Sequence, residues 1–195
     1  LHLGNYAVKA FDLSYDYIIN SNEKVAEKGH KTEEAINTID EKLTRYLITL
    51  SSEALSQKES EVLTNILDSS RDLERIGDHA EALININDYL QRKNVQFSNS
   101  ALEELEDIYR QTSEFVKDAL ESVENNDLEM AESLIERHEA INKMERVLRK
   151  THIKRLNNGE CSTQAGVNFI DIISHYTRVS DHAMNLAEKV LAEQI

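Results

Sequence analysis

The segment Asp72-Leu73-Glu74-Arg75-Ile76-Gly77-Asp78-His79-Ala80 carries the sharpest chemical signal in the chain. At 3.6 residues per turn, Glu74 and Asp78 fall one turn apart on one helix face, and Glu81 and Asn85 extend the stripe. Like charges at this spacing destabilise a bare helix by about 0.2–0.5 kcal/mol. A bound cation, a facing Lys or Arg, or plain solvation must offset that repulsion. Glu33-x-x-x-Asn37 supplies a second set of oxygen donors, with Asp40 and Glu41 a turn further on. A short connection places the helices bearing these two sets side by side and antiparallel. Their carboxylates and amide carbonyl can then surround Mg, Mn or iron. A solvated acidic face is the competing reading.

The same signals recur later in the chain. Glu34-Ala35-Ile36-Asn37 returns as Glu139-Ala140-Ile141-Asn142, an offset of 105 residues, and Ala26-Glu27 returns as Ala131-Glu132 in the same frame. Arg75-x-x-Asp78-His79-Ala80 returns as Arg178-x-x-Asp181-His182-Ala183, an offset of 103 residues, with Asp68 and Asp171 in register. Two long matches in the same order indicate an internal duplication. The second copy is poorer in carboxylates. His138 stands where Glu33 stood and Thr177 where Glu74 stood, while Asn142 and Asp181 remain. A second metal site would have fewer anionic ligands, or a set that includes His138.

A separate stripe holds Asp68, Arg75 and His79, repeated as Asp171, Arg178 and His182. It lies well around the helix from Glu74 and reads as an ion-pair layer that sets how helices or halves pack. Catalytic signatures are absent. His138-Glu139-Ala140-Ile141-Asn142 fails the HExxH pattern at its fifth position, and Glu27-Lys28-Gly29-His30 is an ExxH without a partner. There is no P-loop, GxSxG or GxGxxG. Cys161 is the one cysteine, so no internal disulfide forms, a reducing compartment is the simpler expectation, and the thiol reads as incidental.

The elements that must position these residues are helices. The 195-residue chain has no Pro and five Gly, and hydrophobic residues make up 40%. The strongest helix breakers are therefore scarce and the core is mainly aliphatic. Apolar periodicity predicts six helices. The first runs from Leu3 to Lys28 and closes at Gly29-His30. The second is capped by Thr32 and ends near Leu55. The third runs from Gln57 past Leu90. The fourth follows Ser98-Asn99-Ser100 and ends at Asn125-Asn126. The fifth is capped by Asp127 and stops at Asn157-Asn158-Gly159. The sixth follows Ser162. A net charge of -14 argues against nucleic acid and against an anionic membrane surface, and suits cations or a basic protein surface. No run approaches the roughly 20 apolar residues of a membrane span. The chain begins at Leu1 rather than Met, which leads us to expect a piece of a longer protein.

The run from Asp72 to Ala80 resembles the most recognisable motif of PhoU-like proteins. So do His152-Ile153-Lys154-Arg155-Leu156-Asn157-Asn158-Gly159-Glu160-Cys161, Gly166-Val167-Asn168-Phe169-Ile170-Asp171-Ile172 and Asp181-His182-Ala183-Met184-Asn185-Leu186-Ala187-Glu188. The second-half segments look most like the cytoplasmic C-terminal domain of bacterial sodium/phosphate cotransporter family proteins. The resemblance covers nearly the whole chain. It implies an all-α fold of two tandem antiparallel three-helix bundles related by a pseudo-twofold, residues 1–97 and 98–195. It implies a regulator of phosphate transport and phosphate signalling, not a catalyst. The expected place is the inner face of the cell membrane, with a transporter membrane domain or a signalling protein as partner, and homodimers occur in the family. Some members hold multinuclear iron or zinc clusters through E/D-x-x-x-D motifs. Those positions fall at Glu33 and Asn37, Glu74 and Asp78, His138 and Asn142, and Thr177 and Asp181, of which only Glu74 and Asp78 match in full. Two other readings stand beside this one: a metal-free helical scaffold for a partner protein, and a carboxylate-bridged metal enzyme.

Overall fold

A computed structural model describes residues 2–52 and 54–192. Six α-helices follow one another: α1 (His2–Asn20), α2 (Glu23–Ser51), α3 (Gln57–Arg92), α4 (Asn99–Asn125), α5 (Leu128–Asn157) and α6 (Thr163–Ala192). Helices α1 to α3 pack on one another as one antiparallel bundle and α4 to α6 as a second. Across the two bundles α3 lies against α6, and α1 against α4. The all-α architecture of two three-helix bundles is the one the sequence implies.

Side-chain caps set most of the boundaries. Ser56 and Glu59 form a reciprocal capping box at α3, with the Ser56 amide donating to Glu59 at 2.8 Å. Ser98, Asp127 and Ser162 each accept a hydrogen bond from a first-turn amide, at 3.2, 3.0 and 3.2 Å. Asn126 closes α4 in the left-handed conformation with φ 50°. The first break differs from expectation. The chain turns at Ser21 (φ 49°) and Asn22, whose side chain accepts from the Lys24 amide at 3.1 Å and caps α2. Gly29, His30 and Thr32 all lie inside α2, and the Thr32 hydroxyl donates back to the Lys28 carbonyl at 2.7 Å. Gly29 ends nothing because its role is close packing. A Cβ there would overlap the Ile84 side chain of α3.

One continuous core joins the bundles. Ile36 of α2 lies over Gly77 of α3, where an added Cβ would sit 2.9 Å from Ile36 Cδ1. Phe11 of α1 meets Tyr109 of α4 and the edge of Tyr176 of α6, both at 5.4 Å between ring centroids, which stitches the halves together. Among the described residues no helix is long and apolar enough to cross a membrane.

Ile36 is 0% exposed, so Ile36→Ala should cost about 2–5 kcal/mol in urea unfolding through the cavity it leaves. Asn22→Ala should cost about 1 kcal/mol through loss of the α2 cap. An Ile36→Ala variant as stable as wild type would contradict this packing.

Candidate functional site

Helices α2 and α3 bring the expected first-half residues into one electrostatic neighbourhood. Glu33 is 8% exposed and accepts a hydrogen bond from the Asn37 side-chain amide, one turn on. Burial pushes the Glu33 carboxyl above its usual range, and the nearby charges of Glu81, Asp78 and Glu74 push the same way against the Asn37 bond. The Glu74 carboxyl is also raised, by burial first and then by Asp78, with Asp40 adding and Arg75 and Arg71 opposing. Arg75 is the local counter-charge, 3.0 Å from Asp78 and 3.6 Å from Glu74. On the other flank His30 Nδ1 lies 3.1 Å from Glu81 Oε1. Glu81 extends the stripe in sequence. The geometry makes it the strongest like-charge neighbour of Glu33.

The second half resolves the same positions differently. His138 Nε2 lies 3.0 Å from Asp181 Oδ1 and the Asn142 side-chain amide lies 3.3 Å from the same nitrogen. The Thr177 hydroxyl donates to the Ile173 carbonyl of its own helix at 3.1 Å. Arg178 reaches Asp181 at 3.4 Å. The imidazole and the guanidinium thus occupy the one carboxylate that remains. Among the described residues no group of three or more His, Cys, Asp or Glu side chains is drawn together closely enough to hold a metal ion. The first half offers carboxylate and amide oxygens, the donor type that hard cations take, crowded without full compensation, whereas in the second half His138 and Arg178 engage the one remaining carboxylate.

The seam between α3 and α6 carries a third cluster. Asp72 accepts from His182 Nδ1 at 3.0 Å, from the Asn185 amide at 2.8 Å and from Lys189 at 3.2 Å. Burial pushes the Asp72 carboxyl up, but these hydrogen bonds and the Lys189 charge outweigh it and hold it below the usual range. Across the pseudo-twofold, His79 Nδ1 and His175 Nδ1 lie 3.0 Å apart, one donating to the other. Asp72 and His175 share a repeat position, as do His79 and His182, so one seam contact is an Asp–His pair and its mate a His–His pair. The sequence places His79 and His182 in a packing layer, and they are there. Arg75 and Arg178 instead turn to Asp78 and Asp181 on their own helices, and Asp68 takes no part.

The fold and these clusters invite comparison with known proteins. The family model for the PhoU domain matches residues 1–86 and 105–190. The chain belongs to the PhoU domain family. A relative named phosphate-specific transport system accessory protein PhoU homolog 1, from Thermotoga maritima, is 30% identical over 178 residues, which cover 91% of this chain and 68% of that protein. The crystal structure of PhoU from Pseudomonas aeruginosa superposes with a TM-score of 0.90 at 20% identity, over 100% of this chain and 94% of that one. The phosphate transport system regulatory protein PhoU from Streptococcus pneumoniae gives a TM-score of 0.86 at 20% identity, over 99% and 90%. At these identities the two structures speak for the PhoU fold alone.

The seam makes a testable demand on pH. His79 is pushed from 6.5 down to about 4, by burial first and then by His175, His182, Arg178 and Arg75. The unfolded chain therefore binds a proton that the folded chain refuses between those values. Stability from a neutral His79 is full above about pH 6.5 and falls as pH drops toward 4. His175 is depressed in the same direction by burial. Melting of wild type between pH 7 and pH 5 should fall more steeply than melting of His79→Gln. Equal slopes would contradict a buried neutral imidazole here.

Proposed function

We propose that this chain is a non-catalytic regulatory domain of phosphate transport. The observation that carries the reading is the PhoU family match across both halves, residues 1–86 and 105–190. The curated relative's name, an accessory protein of a phosphate-specific transport system, points the same way. In finer form, the domain works at the cytoplasmic face of the membrane beside the membrane domain of a sodium/phosphate cotransporter-like protein. The second-half segments around His152, Gly166 and Asp181 support that partner. Residues 1–97 and 98–195 act as two repeats of one unit, and a second copy of the chain or a signalling protein is a further partner.

The first half is where a metal ion belongs in this reading. Glu33, Glu74 and Asp78, with the Asn37 amide, would have to draw together from their present separation to hold it. A hard divalent cation there would supply positive charge for carboxylates that now repel one another. Iron or zinc is the family precedent. His138, Asn142 and Asp181 form the metal-free counterpart.

Two experiments test this. In cells lacking the gene, phosphate uptake should change its response to external phosphate, and the wild-type gene should restore it. Uptake and its regulation unchanged by the deletion would contradict the regulatory reading. In the purified protein, divalent metal should raise the melting temperature, and Glu74→Gln should abolish the shift while His138→Ala leaves it. A shift that survives Glu74→Gln would remove the metal from this place.

A further inference from the structure

The outer face of α5 carries charges that neither bundle uses. Glu129, Glu132, Glu136 and Glu139 are exposed along the first half of the helix. Lys143, Arg146, Lys150 and Lys154 are exposed along the second. At about 100° per residue they all fall within an arc about as wide, and form one stripe about 38 Å long, acidic at one end and basic at the other. The ion pairs that α5 makes among the described residues use other side chains. Arg137 meets Asp118 and Arg155 meets Glu104 on α4, His138 meets Asp181 on α6, and Glu145 meets Arg149 within the helix.

Relief of the helix dipole does not account for the stripe. That effect fades within the first and last turn. Glu136, Glu139, Lys143 and Arg146 lie at least about two turns inside α5. Turned end over end, however, the stripe matches itself with its charges reversed. Consider a second copy lying antiparallel, with the twofold axis level with Ile141. Glu139 then comes level with Lys143 of the second copy, and Glu136 with Arg146. Further out, Glu132 comes level with Lys150 and Glu129 with Lys154, each to within about one residue's rise. A parallel pair would set acid against acid and base against base. Ile135, Val147 and Ile153 stand at the margins of the stripe, 46%, 55% and 42% exposed, and give the pair apolar surface to cover.

We propose that the outer face of α5 is the interface between two copies of this chain, packed antiparallel about a twofold axis level with Ile141. A face about 38 Å long and about 10 Å wide buries roughly 400 Å² on each copy, half of what a stable interface takes, so the dimer is weak and held by charge. The inference rests on the functional reading only where that names a second copy as a partner. Self-association is measured without reference to phosphate uptake, so one can fail without the other.

The test is analytical ultracentrifugation of the whole chain at about 0.1 mM. Wild type should dimerise in about 0.05 M sodium chloride and lose at least about tenfold in association constant at about 0.5 M. Glu132→Lys/Glu136→Lys makes the stripe mostly basic, and Arg146→Glu/Lys150→Glu makes it mostly acidic. Each variant alone should be monomeric. An equimolar mixture of the two should associate as wild type does, because every reversed charge then meets an opposite one. Wild type that stays monomeric at low salt, a dimer that both variants keep, or a mixture no more associated than its parts overturns the proposal. Binding of monomeric wild type to anionic phospholipid vesicles, lost in Arg146→Glu/Lys150→Glu, also overturns it and gives the basic half to a membrane. If a double variant does not fold, Glu132→Lys and Lys150→Glu, mixed in the same way, decide.

Discussion

Two missing Cβ atoms set how close α2 comes to α3. At Gly29 the Ile84 side chain fills the space a Cβ would take, and at Gly77 Ile36 does the same. With the helices this near, the carboxylates of Glu33 on one and of Glu74, Asp78 and Glu81 on the other cannot avoid one another. Burial strips away part of the water that would screen them, so Glu33 and Glu74 are harder to ionise than free carboxylates. Arg75 and His30 relieve the edges of the group and leave its centre repulsive. The packing that stabilises the first bundle therefore also creates its electrostatic demand.

The second bundle keeps the geometry and removes the demand. His138 and Thr177 replace two acids, and the Asp181 carboxylate is taken by His138 and Arg178. Between the bundles, the seam shows a similar divergence. Asp72 finds His182, Asn185 and Lys189, while its repeat mate His175 finds His79. A duplicated fold has thus kept its packing while its charges have specialised. One half keeps crowded carboxylates, and in the other the remaining carboxylate is engaged by His138 and Arg178.

Much of this was legible in the residues. The offsets of 105 and 103 paired Glu33 with His138 and Asp78 with Asp181 before any coordinates were known. Ser98, Asp127 and Asn126 announced their caps through local chemistry alone, because a cap depends on three or four adjacent residues. The break at Ser21-Asn22 was hidden by the more conspicuous Gly29-His30, about two helical turns further along, where Gly29 makes room for Ile84 of α3. A glycine needed for a helix crossing looks in sequence like one that ends a helix. The seam partners were missed for a similar reason. Asp72 and His175 share a repeat position, but only the crossing of α3 and α6 shows that each faces a histidine of the other helix.

The uncompensated charge between α2 and α3 is the claim on which the rest turns. Side-chain carboxyl titration by NMR on the metal-free protein measures it directly. Glu33 and Glu74 should titrate above the ordinary glutamate value of 4.5, and Asp72 below the ordinary aspartate value of 3.8. Glu33 and Glu74 titrating at or below 4.5 would mean that the protein already neutralises the group by itself, and the account of the first half as a cation-responsive site would be wrong.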